Sequence, residues 1–436
     1  MLCGSKGFGF NMSVRIVLGA QWGDEGKAKI VDFLTSDADV VVRYQGGANA
    51  GHTIKVGELE FVFHLIPAGI VHPDKTCVVG NGVVLEPEAL FAELDELEEK
   101  GIATEGRLFI SERAHLVLPY HKAIERASEK KIGEGAIGTT LRGIGPTYYD
   151  KINRSSGVRV LDVLDADVFA TKIRANLREK NEILTKVYEV EPLEEAPIVE
   201  SYVAHGERLR PYIVDTSVYL NDQIKQGKGI LFEGSQGTLL DVDHGSYPYV
   251  TSSNTTAGGA CTGAGIGPTQ INEVVGVVKA YTTRVGNGPF PTELHGKMGD
   301  RIRDIGHEYG ATTGRPRRCG WLDAVILRMA KRINGLTSIA VTRLDILDQI
   351  EELKICTHYT RNGERVEHFP ADLNVLAECE PVYETVPGWQ SDTTKCRTYD
   401  SLPDNAKAYL ARIQKLSGVK ISIVSVGPDR EETIFV

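Results

Sequence analysis

Apolar and polar positions along the chain fall into short apolar runs and longer stretches with helical periodicity. The clearest apolar runs are residues 14–18, 39–43, 108–111, 229–233, 273–281, 338–345 and 421–426. Continuous apolar runs of this length, rich in β-branched residues, are typical of parallel strands that helices cover on both faces. Residues 60–67 alternate weakly and predict another strand, as do residues 76–85, where a turn breaks the run.

Helical periodicity fills most of the remaining chain. A leucine stripe predicts a helix at 87–100, and the charged stretch 162–226 predicts mainly surface helices. Further helices are predicted at 27–34, 120–131, 321–333 and 405–416. Asn362 and Gly363 predict a hairpin turn in a late β excursion. Together these elements predict an α/β fold: a single large domain on a central, mostly parallel β-sheet flanked by helices.

The composition narrows the classes of function. Of 436 residues, 42% are hydrophobic and 25% are charged, which is ordinary for a globular protein. The formal net charge of −10 argues against nucleic acid or an anionic membrane as a partner. The 7 cysteines are scattered, odd in number and without a CxxC pair, so we expect a reducing compartment and no zinc site. No apolar run approaches the roughly 18 residues of a membrane span, and we expect a cytoplasmic protein.

The first apolar run leads into a glycine-rich, P-loop-like turn and then a helix, a geometry that presents backbone N–H groups to an anion. It differs from a Walker A loop because Gln21 stands where the first glycine belongs and Ala28 where a hydroxyl should hold magnesium. Asp24 and Glu25 lie inside the turn, which makes sense if a carboxylate there holds a cation or takes a proton. The alternative is a glycine turn with two solvated acids.

Polar loops follow several of the predicted strands. They are residues 44–53, 133–157, 234–238, 244–267 and 310–318. Because open α/β sheets bind ligands at the carboxyl ends of their strands, we expect a composite site along one edge. The two longest loops, 133–157 and 244–267, are expected to wrap ligands, although the composition of the second also suits a flexible linker. A lone loop histidine such as His52 is more often a surface residue, and clustered arginines are more often solvated.

The segment Gly-x-Gln-Trp-Gly-Asp-Glu-Gly-Lys, from Gly19 through Lys27, resembles the signature of the adenylosuccinate synthetase family. The resemblance extends from Val14 to about Thr433. It includes Gly-Gly-Ala-Asn-Ala-Gly-His-Thr at 46–53, Ile-Gly-Thr-Thr at 137–140, Phe-Glu-Gly-Ser-Gln-Gly-Thr at 232–238 and Gly-Ala-Thr-Thr-Gly-Arg at 310–315. It implies a ligase that converts IMP, L-aspartate and GTP to adenylosuccinate, GDP and phosphate through 6-phosphoryl-IMP. That reaction is the first committed step from IMP to AMP in purine biosynthesis.

The resemblance also implies roles for particular residues. Asp24 matches the base that takes the N1 proton of IMP, and His52 matches the acid, with Lys27 and Gln236 also in the catalytic set. Asp24 and the Gly51 carbonyl are the expected protein ligands of Mg²⁺. The two roles of Asp24 conflict, because a metal lowers the basicity of a carboxylate. Sequential use, as base during phosphoryl transfer and chiefly as ligand otherwise, is one resolution that the sequence leaves open.

Three binding sets and a subunit contact follow from the same resemblance. The expected GTP residues are Gly23, Asp24, Glu25, Gly26, Lys27, Ala28, Lys29, Gly51, His52, Thr53, Arg317, Arg343, Leu344, Asp345, Ser425, Val426, Gly427 and Pro428. The expected IMP residues are Asn49, Ala50, Thr140, Arg154, Gln236, Thr251 and Arg315. The expected aspartate residues are Val285, Ala311, Thr312, Thr313, Gly314 and Arg315. Arg154 matches an arginine that reaches the IMP of the neighbouring subunit, which implies a homodimer with shared sites.

Two residues depart from the family pattern. Ala28 replaces a common glycine, so its methyl group would conflict with a positive φ or a close approach to phosphate. In Thr342-Arg-Leu-Asp345, which resembles the Asn-Lys-x-Asp guanine motif of GTPases, Arg343 replaces lysine and could stack on the base. The alternative for Asp345 is that it only caps the helix that follows its strand.

Residues 1–11 and two competing functions complete the predictions. The first 11 residues lack the features of a signal peptide, and Met12 immediately precedes the matching region. We therefore predict a dispensable extension before a domain at 12–436.

Two alternative functions remain. A GTP-regulated switch would share the turn and the guanine motif but would not need His52. A glycine-rich scaffold protein would bind no nucleotide.

Overall fold

A ten-stranded sheet forms the centre of the structure, a computed structural model that describes residues 13–56, 59–133, 137–310, 314 and 316–436. Within these ranges the strands are β1 (Val14–Gly19), β2 (Val40–Arg43), β3 (His52–Val56), β4 (Leu59–Phe63), β5 (Thr76–Val79), β6 (Val84–Leu85), β7 (Leu108–Ser111), β8 (His115–Leu116), β9 (Ile213–Val214), β10 (Ile230–Glu233), β11 (Glu273–Lys279), β12 (Thr282–Arg284), β13 (Arg318–Gly320), β14 (Leu322–Asp323), β15 (Ser338–Thr342), β16 (Glu352–Arg361), β17 (Glu364–Val366), β18 (Glu380–Pro387), β19 (Ile421–Ser425) and β20 (Thr433–Phe435). The α-helices of the same ranges are α1 (Lys27–Thr35), α2 (Pro87–Glu99), α3 (Pro119–Ile132), α4 (Ile144–Asn153), α5 (Ala166–Glu182), α6 (Glu195–Leu209), α7 (Thr216–Lys225), α8 (Ala257–Ala264), α9 (Lys297–Ile305), α10 (Ala324–Asn334), α11 (Leu373–Ala377) and α12 (Asp404–Ser417).

The central sheet is mostly parallel, as predicted. Its strand order is β20-β19-β15-β11-β1-β10-β2-β5-β7-β9. Every neighbouring pair is parallel except β19 and β20. Outside this sheet, β16 and β17 form an antiparallel hairpin. Its turn is Asn362-Gly363, and both residues have a positive φ, which confirms the predicted hairpin.

Helices cover both faces of the sheet, which is why its strands read as continuous apolar runs. All of β1 is buried. Ile16 belongs to a core that includes Leu327 of α10 and Leu410 of α12. The next residue, Val17, belongs to a second core that includes Ile30 of α1. In a buried parallel sheet, successive side chains enter opposite layers, so polar alternation is absent.

The prediction of one uninterrupted loop at 133–157 is wrong, because α4 occupies its second half. Gly143 precedes this helix with φ 77°, and Pro146 lies in the first turn, where proline is tolerated. Ile144, Thr147 and Asp150 form a buried face at helical spacing. Glycine and proline therefore mark the start of a helix here and not a longer loop.

The long loop predicted at 244–267 likewise contains a helix, α8, so the linker alternative is wrong for that part. Its glycines serve close packing: a Cβ on Gly263 would lie 2.0 Å from the Tyr44 carbonyl oxygen. The helix predicted at 321–333 begins later, at Ala324, because Leu322 and Asp323 pair with β16. In the described part of the chain, no helix is long and apolar enough to cross a bilayer.

Candidate active site

Five neighbouring strands deliver most of the predicted site residues to one edge of the sheet. β15, β11, β1, β10 and β2 lie side by side and are parallel. The carboxyl ends of parallel strands meet at the same edge, where open α/β sheets bind their ligands. Asp345 follows β15, Asp24 follows β1, Gln236 follows β10 and His52 follows β2.

The turn after β1 has the predicted geometry. Gly23, Asp24 and Gly26 have φ values of 82°, 58° and 79°, and α1 begins directly after Gly26. The left-handed conformation is easy for glycine but costs free energy at Asp24. No side chain caps the start of α1, so its first N–H groups are available to an anion.

Glu25 holds this turn together from the inside. Its carboxylate is fully buried and accepts hydrogen bonds from the backbone N–H groups of Gln21 (3.0 Å) and Gly23 (2.9 Å). The Lys27 ammonium lies 2.6 Å from the same carboxylate. The alternative of two solvated acids is therefore wrong for Glu25, whereas the Asp24 side chain is 41% exposed.

The next residues of α1 include Ala28 and Lys29. Ala28 lies within the helix and has no positive φ, so its methyl group imposes no backbone strain. The Lys29 ammonium donates to Ser425 Oγ (2.7 Å) and to the carbonyl oxygens of Gly427 (2.6 Å) and Glu432 (3.1 Å). Burial lowers the pKa of Lys29 to about 8. Lys29 thus ties the turn's helix to the loop after β19.

His52 is buried in a pair with Glu233, the last residue of β10. The Nδ1–H of His52 donates to Oε1 of Glu233, and Arg43 Nη1 lies 3.3 Å from the same oxygen. The Ala68 N–H donates to the other oxygen of Glu233 at 2.9 Å. His52 is therefore not a surface residue, and the carboxylate fixes its ring so that Nε2 is the nitrogen left for a ligand.

The charges around this pair set its protonation. Burial lowers the pKa of His52 and the nearby Arg43 lowers it further, while Glu233 acts in the opposite direction. Burial alone would raise the pKa of Glu233, but His52 and Arg43 outweigh it and bring that pKa to about 2. The direction of the His52 shift favours a neutral imidazole, which donates its Nδ1–H to Glu233.

The loops after β2 and β10 meet at Asn49 and Gln236. Gln236 has φ 55°, and its Nε2 lies 3.5 Å from Asn49 Oδ1. Its Oε1 is buried and has no hydrogen-bond partner in the described part of the chain. Since buried polar atoms are rarely left unpaired, this oxygen is suited to a ligand. Ala50 and Gly51, which follow Asn49 in the chain, are half-buried, and the Ala50 carbonyl contacts His64 Nδ1 at 2.7 Å.

Four other predicted contact residues differ in exposure. Thr53 and Thr140 are exposed, as is Arg154, which has φ 67° at the end of α4. Among described residues, no hydrogen bond joins the side chain of Thr140 or Arg154 to the rest of the site. Thr251 is half-buried, and its N–H donates to the Leu240 carbonyl at 2.9 Å.

Only part of the set of predicted aspartate-binding residues lies within the described residues. Ala311, Thr312, Thr313 and Arg315 lie outside the described residues. Gly314 is exposed with φ 64°, and Val285, which follows β12, is 39% exposed. The set therefore stays a prediction.

Arg317 bridges Asp24 and a buried acid. Its Nε donates to Asp24 Oδ2 at 2.7 Å, and its Nη1 donates to Glu308 Oε2 at 2.7 Å. The predicted GTP arginine thus lies directly against the predicted catalytic carboxylate. A guanidinium in this place suits phosphate oxygens, which it can bind with two parallel N–H groups.

Asp345 has the properties expected of a base-reading carboxylate. Its Oδ1 is buried and has no hydrogen-bond partner within the described ranges. Burial raises its pKa to about 6. It begins the short 3₁₀ helix Asp345–Leu347, in which no side chain caps the start. The helix-cap alternative for Asp345 therefore has no hydrogen bond to support it.

The remaining predicted guanine contacts directly precede Asp345 in the chain or follow β19, the strand beside β15. Arg343 has φ 60°, and its Nη1 donates to the Gly306 carbonyl at 3.0 Å. Leu344 and Val426 are fully buried core residues, so only their backbone is available to a ligand. Pro428 is exposed at the end of the loop that Lys29 holds.

A magnesium site built from protein side chains alone is absent from the described ranges, where no group of three or more His, Cys, Asp or Glu residues could hold a metal. Asp24 and the Gly51 carbonyl offer oxygen donors, which Mg²⁺ prefers. Mg²⁺ commonly takes one or two carboxylates together with substrate phosphates. These two oxygen donors therefore suit a Mg²⁺ ion that binds together with the phosphates of a nucleotide.

Sequence reasoning missed Glu233, Arg43 and Glu308. Each is buried and contacts a predicted site residue: Glu233 contacts His52 across 181 positions, whereas Arg43 and Glu308 lie 9 positions from His52 and Arg317. The only sequence signal was a charged residue at the end of an apolar strand, as in Glu233 and Arg43. That position suggests a site but not a partner.

Comparison with known proteins gives a consistent result. The family model described as adenylosuccinate synthetase matches residues 16–434. An adenylosuccinate synthetase of Heliobacterium modesticaldum is 57% identical over 97% of this chain and 99% of its own length. One from Desulforamulus reducens is 54% identical over 97% of this chain and 99% of its own length. The fully ligated adenylosuccinate synthetase structure from Plasmodium falciparum superposes with a TM-score of 0.91 at 40% identity, covering 97% of this chain and 100% of the other.

These matches span nearly the whole chain and include every loop of the strand-end site. They agree with the mostly parallel sheet and with the glycine turn after β1. On these grounds, the chain belongs to the adenylosuccinate synthetase family.

Proposed function

We propose that this chain carries out the ligase reaction of its family at the strand-end site. One observation carries the proposal: five adjacent parallel strands bring the Asp24 turn, the His52–Glu233 pair, Gln236 and Asp345 to one edge. The six-position oxygen of IMP is a poor leaving group for an amine. Transfer of the γ-phosphoryl of GTP to that oxygen converts it to phosphate, which aspartate then displaces.

Asp24 is the proposed base. Its partly exposed carboxylate can take the N1 proton of IMP, so that O6 becomes nucleophilic toward the γ-phosphorus. In the ligand-free chain Arg317 pairs with this carboxylate at 2.7 Å. Bound GTP offers Arg317 phosphate oxygens instead, which frees Asp24 for the proton transfer.

His52 is the proposed acid. Glu233 holds Nδ1–H, so donation toward O6 from Nε2 requires the protonated imidazolium. Burial and Arg43 lower the pKa of His52 in the ligand-free chain. The negative charge of bound phosphates raises that pKa again, and Glu233 stabilises the imidazolium that forms. Ligand binding therefore prepares the acid.

The phosphates of GTP are held by the first N–H groups of α1 and by Lys27. Mg²⁺, with Asp24 and the Gly51 carbonyl as its protein ligands, would neutralise charge on the γ-phosphoryl. Asp345 reads guanine, while Asn49, Thr140, Gln236, Thr251 and Arg315 bind IMP. Val285 and residues 311–315 bind aspartate.

The proposed assembly is a homodimer in which Arg154 reaches the IMP of the partner subunit. On α4, beside Arg154, Tyr149 is 64% exposed and Ile152 is 75% exposed. Large apolar side chains at such exposure favour a protein contact. A cytoplasmic location is supported by the cysteines of the described ranges, all of which are free.

The test is to combine protein, Mg²⁺, GTP, IMP and aspartate and to follow adenylosuccinate by its ultraviolet absorbance. Product that depends on every component supports the ligase. GTP turnover indifferent to IMP and aspartate would identify a switch protein instead. Absence of nucleotide binding would leave only the scaffold hypothesis.

A further inference from the structure

Glu308 lies at the centre of a buried ionic network that the proposed mechanism does not use. Its side chain is fully buried between α9 and β13. Oε1 accepts hydrogen bonds from Lys279 Nζ (2.6 Å) and from the Tyr281 hydroxyl. Oε2 accepts from Arg317 Nη1 at 2.7 Å. Lys279 is also fully buried and donates to Thr283 Oγ1 at 2.7 Å.

The network runs outward to the site. Arg317 Nε donates to Asp24 Oδ2 at 2.7 Å, so Lys279, Glu308, Arg317 and Asp24 form a row of alternating charges. The Arg317 N–H also donates to the Glu308 carbonyl oxygen at 2.8 Å. Glu308 thus holds Arg317 by both its backbone and its side chain. In the described chain these bonds use Nε and Nη1 of Arg317. Glu308 keeps Nη1, so the edge formed by Nε and Nη2 can bind phosphate oxygens when they replace Asp24.

We propose that Glu308 is a positioning residue that fixes Arg317 beside Asp24 and so presents the guanidinium to the phosphates of GTP. The inference rests on the proposed function, because it takes Arg317 as a GTP contact. Lys279 and Tyr281 hold one carboxylate oxygen in place, so the other oxygen is a fixed acceptor for Arg317. A pre-ordered arginine loses less rotamer entropy when a nucleotide binds.

A matched control exists one residue further along the chain. Arg318 pairs with Glu293, whose Oε1 lies 2.8 Å from Nε of the arginine. Arg318 begins β13 and Arg317 directly precedes it, and each arginine pairs with a glutamate earlier in the chain. Arg318 bonds to the Gly288 carbonyl and not to Asp24. Glu293→Gln therefore removes a neighbouring, more exposed ion pair without disturbing the proposed GTP arginine.

The experiment compares Glu308→Gln with Glu293→Gln and the wild type. For Glu308→Gln, kcat/KM for GTP should fall roughly 10- to 100-fold, the effect of losing a hydrogen bond between charged groups. The KM values for IMP and aspartate should stay within about twofold, as for changes away from a contact. A calorimetric titration with GDP alone should weaken by a similar factor to the GTP effect. Glu293→Gln should leave GDP affinity within about twofold of the wild type.

A second variant controls for misfolding, because Glu308→Gln leaves the buried Lys279 ammonium without its carboxylate partner. Lys279→Met/Glu308→Gln removes both charges and should show the same selective loss of GDP affinity. Wild-type GDP affinity in either folded variant would overturn the proposal, as would equal changes in the KM of all three substrates. If the wild type made no adenylosuccinate, the proposed function would fail, while the GDP titration would still test Glu308.

Discussion

Replacing Asp345 with asparagine should weaken the use of GTP and raise the free energy of unfolding of the protein without ligands. Guanine presents N1–H and the exocyclic amine as adjacent donors, which one carboxylate can accept together. Adenine has a bare N1 acceptor and no amine at that edge, so it meets Asp345 with repulsion. A site built to hydrogen-bond such groups rejects an analogue lacking them by roughly 10⁴-fold or more. In xanthine a carbonyl replaces the amine, and asparagine could accept from N1–H and donate to that carbonyl.

The magnitude for stability follows from the burial of Asp345. Burial raises its pKa from 3.8 to about 6. Each pKa unit corresponds to about 1.4 kcal/mol, so the ionised carboxylate lowers the free energy of unfolding by about 3 kcal/mol at neutral pH. Since the folded-state pKa is the higher one, this loss develops as pH rises from about 4 to about 6. Asp345→Asn should therefore stabilise the ligand-free protein at pH 7 and flatten this part of its pH dependence.

The assay measures kcat/KM for GTP, xanthosine triphosphate and ATP, together with urea unfolding of the free protein at several pH values. Asp345→Asn should lose GTP use by roughly 10³-fold, gain xanthosine triphosphate use and leave ATP poor. Asp348→Asn is the control, because Asp348 is already bonded to Trp389 Nε1 (2.7 Å) and to Thr393. It should lose about 1–3 kcal/mol of stability and keep the nucleotide ranking. If Asp345→Asn kept that ranking and lost stability, Asp345 would be a structural residue and the guanine-reading role would be wrong.

Three further predictions concern catalysis. Asp24→Asn should lose roughly 10²–10⁴-fold in turnover from the missing base alone, and it should keep its fold because the side chain is 41% exposed; wild-type turnover would end the base assignment. His52→Asn should show a similar loss of turnover with GDP still bound in a calorimetric titration, and a retained rate would make His52 structural. Mixing inactive Arg154→Leu with inactive Asp24→Asn chains should restore some turnover, since a hybrid dimer has one site with both residues intact. If subunit exchange is demonstrated and no activity returns, the shared-site model is wrong.

The strands of the fold were predictable because a buried parallel sheet leaves a plain signal. Runs such as β1 and β10 are mostly apolar and fully buried, so a strand can be recognised in them without polar alternation. The helices α4 and α8 were missed for the opposite reason. Their glycines serve a left-handed start at Gly143 and a close backbone contact at Gly263, and both look like loop residues in one dimension.

Some residues of the candidate site could be predicted from the sequence and others could not. Asp24, His52 and Asp345 were predicted from the sequence because each lies in a short motif that resembles the family's. Glu308 was not, although it lies only 9 positions from Arg317, because no pattern in the sequence shows that the two side chains meet. Glu233 was not, since it contacts His52 across 181 positions. Pairing over such distances depends on strand order, which a single chain does not reveal. The effect of Ala28 also needed the helix boundary at Lys27.

Transfer of the γ-phosphoryl to O6 of IMP is the central claim, and an isotope experiment tests it most directly. IMP labelled with heavy oxygen at position 6 is incubated with the protein, Mg²⁺, GTP and aspartate, and the released phosphate is analysed by mass spectrometry. Phosphorylation of O6 predicts that the label leaves with the phosphate, one atom for each adenylosuccinate formed. Unlabelled phosphate, with the heavy oxygen released to water, would contradict the account.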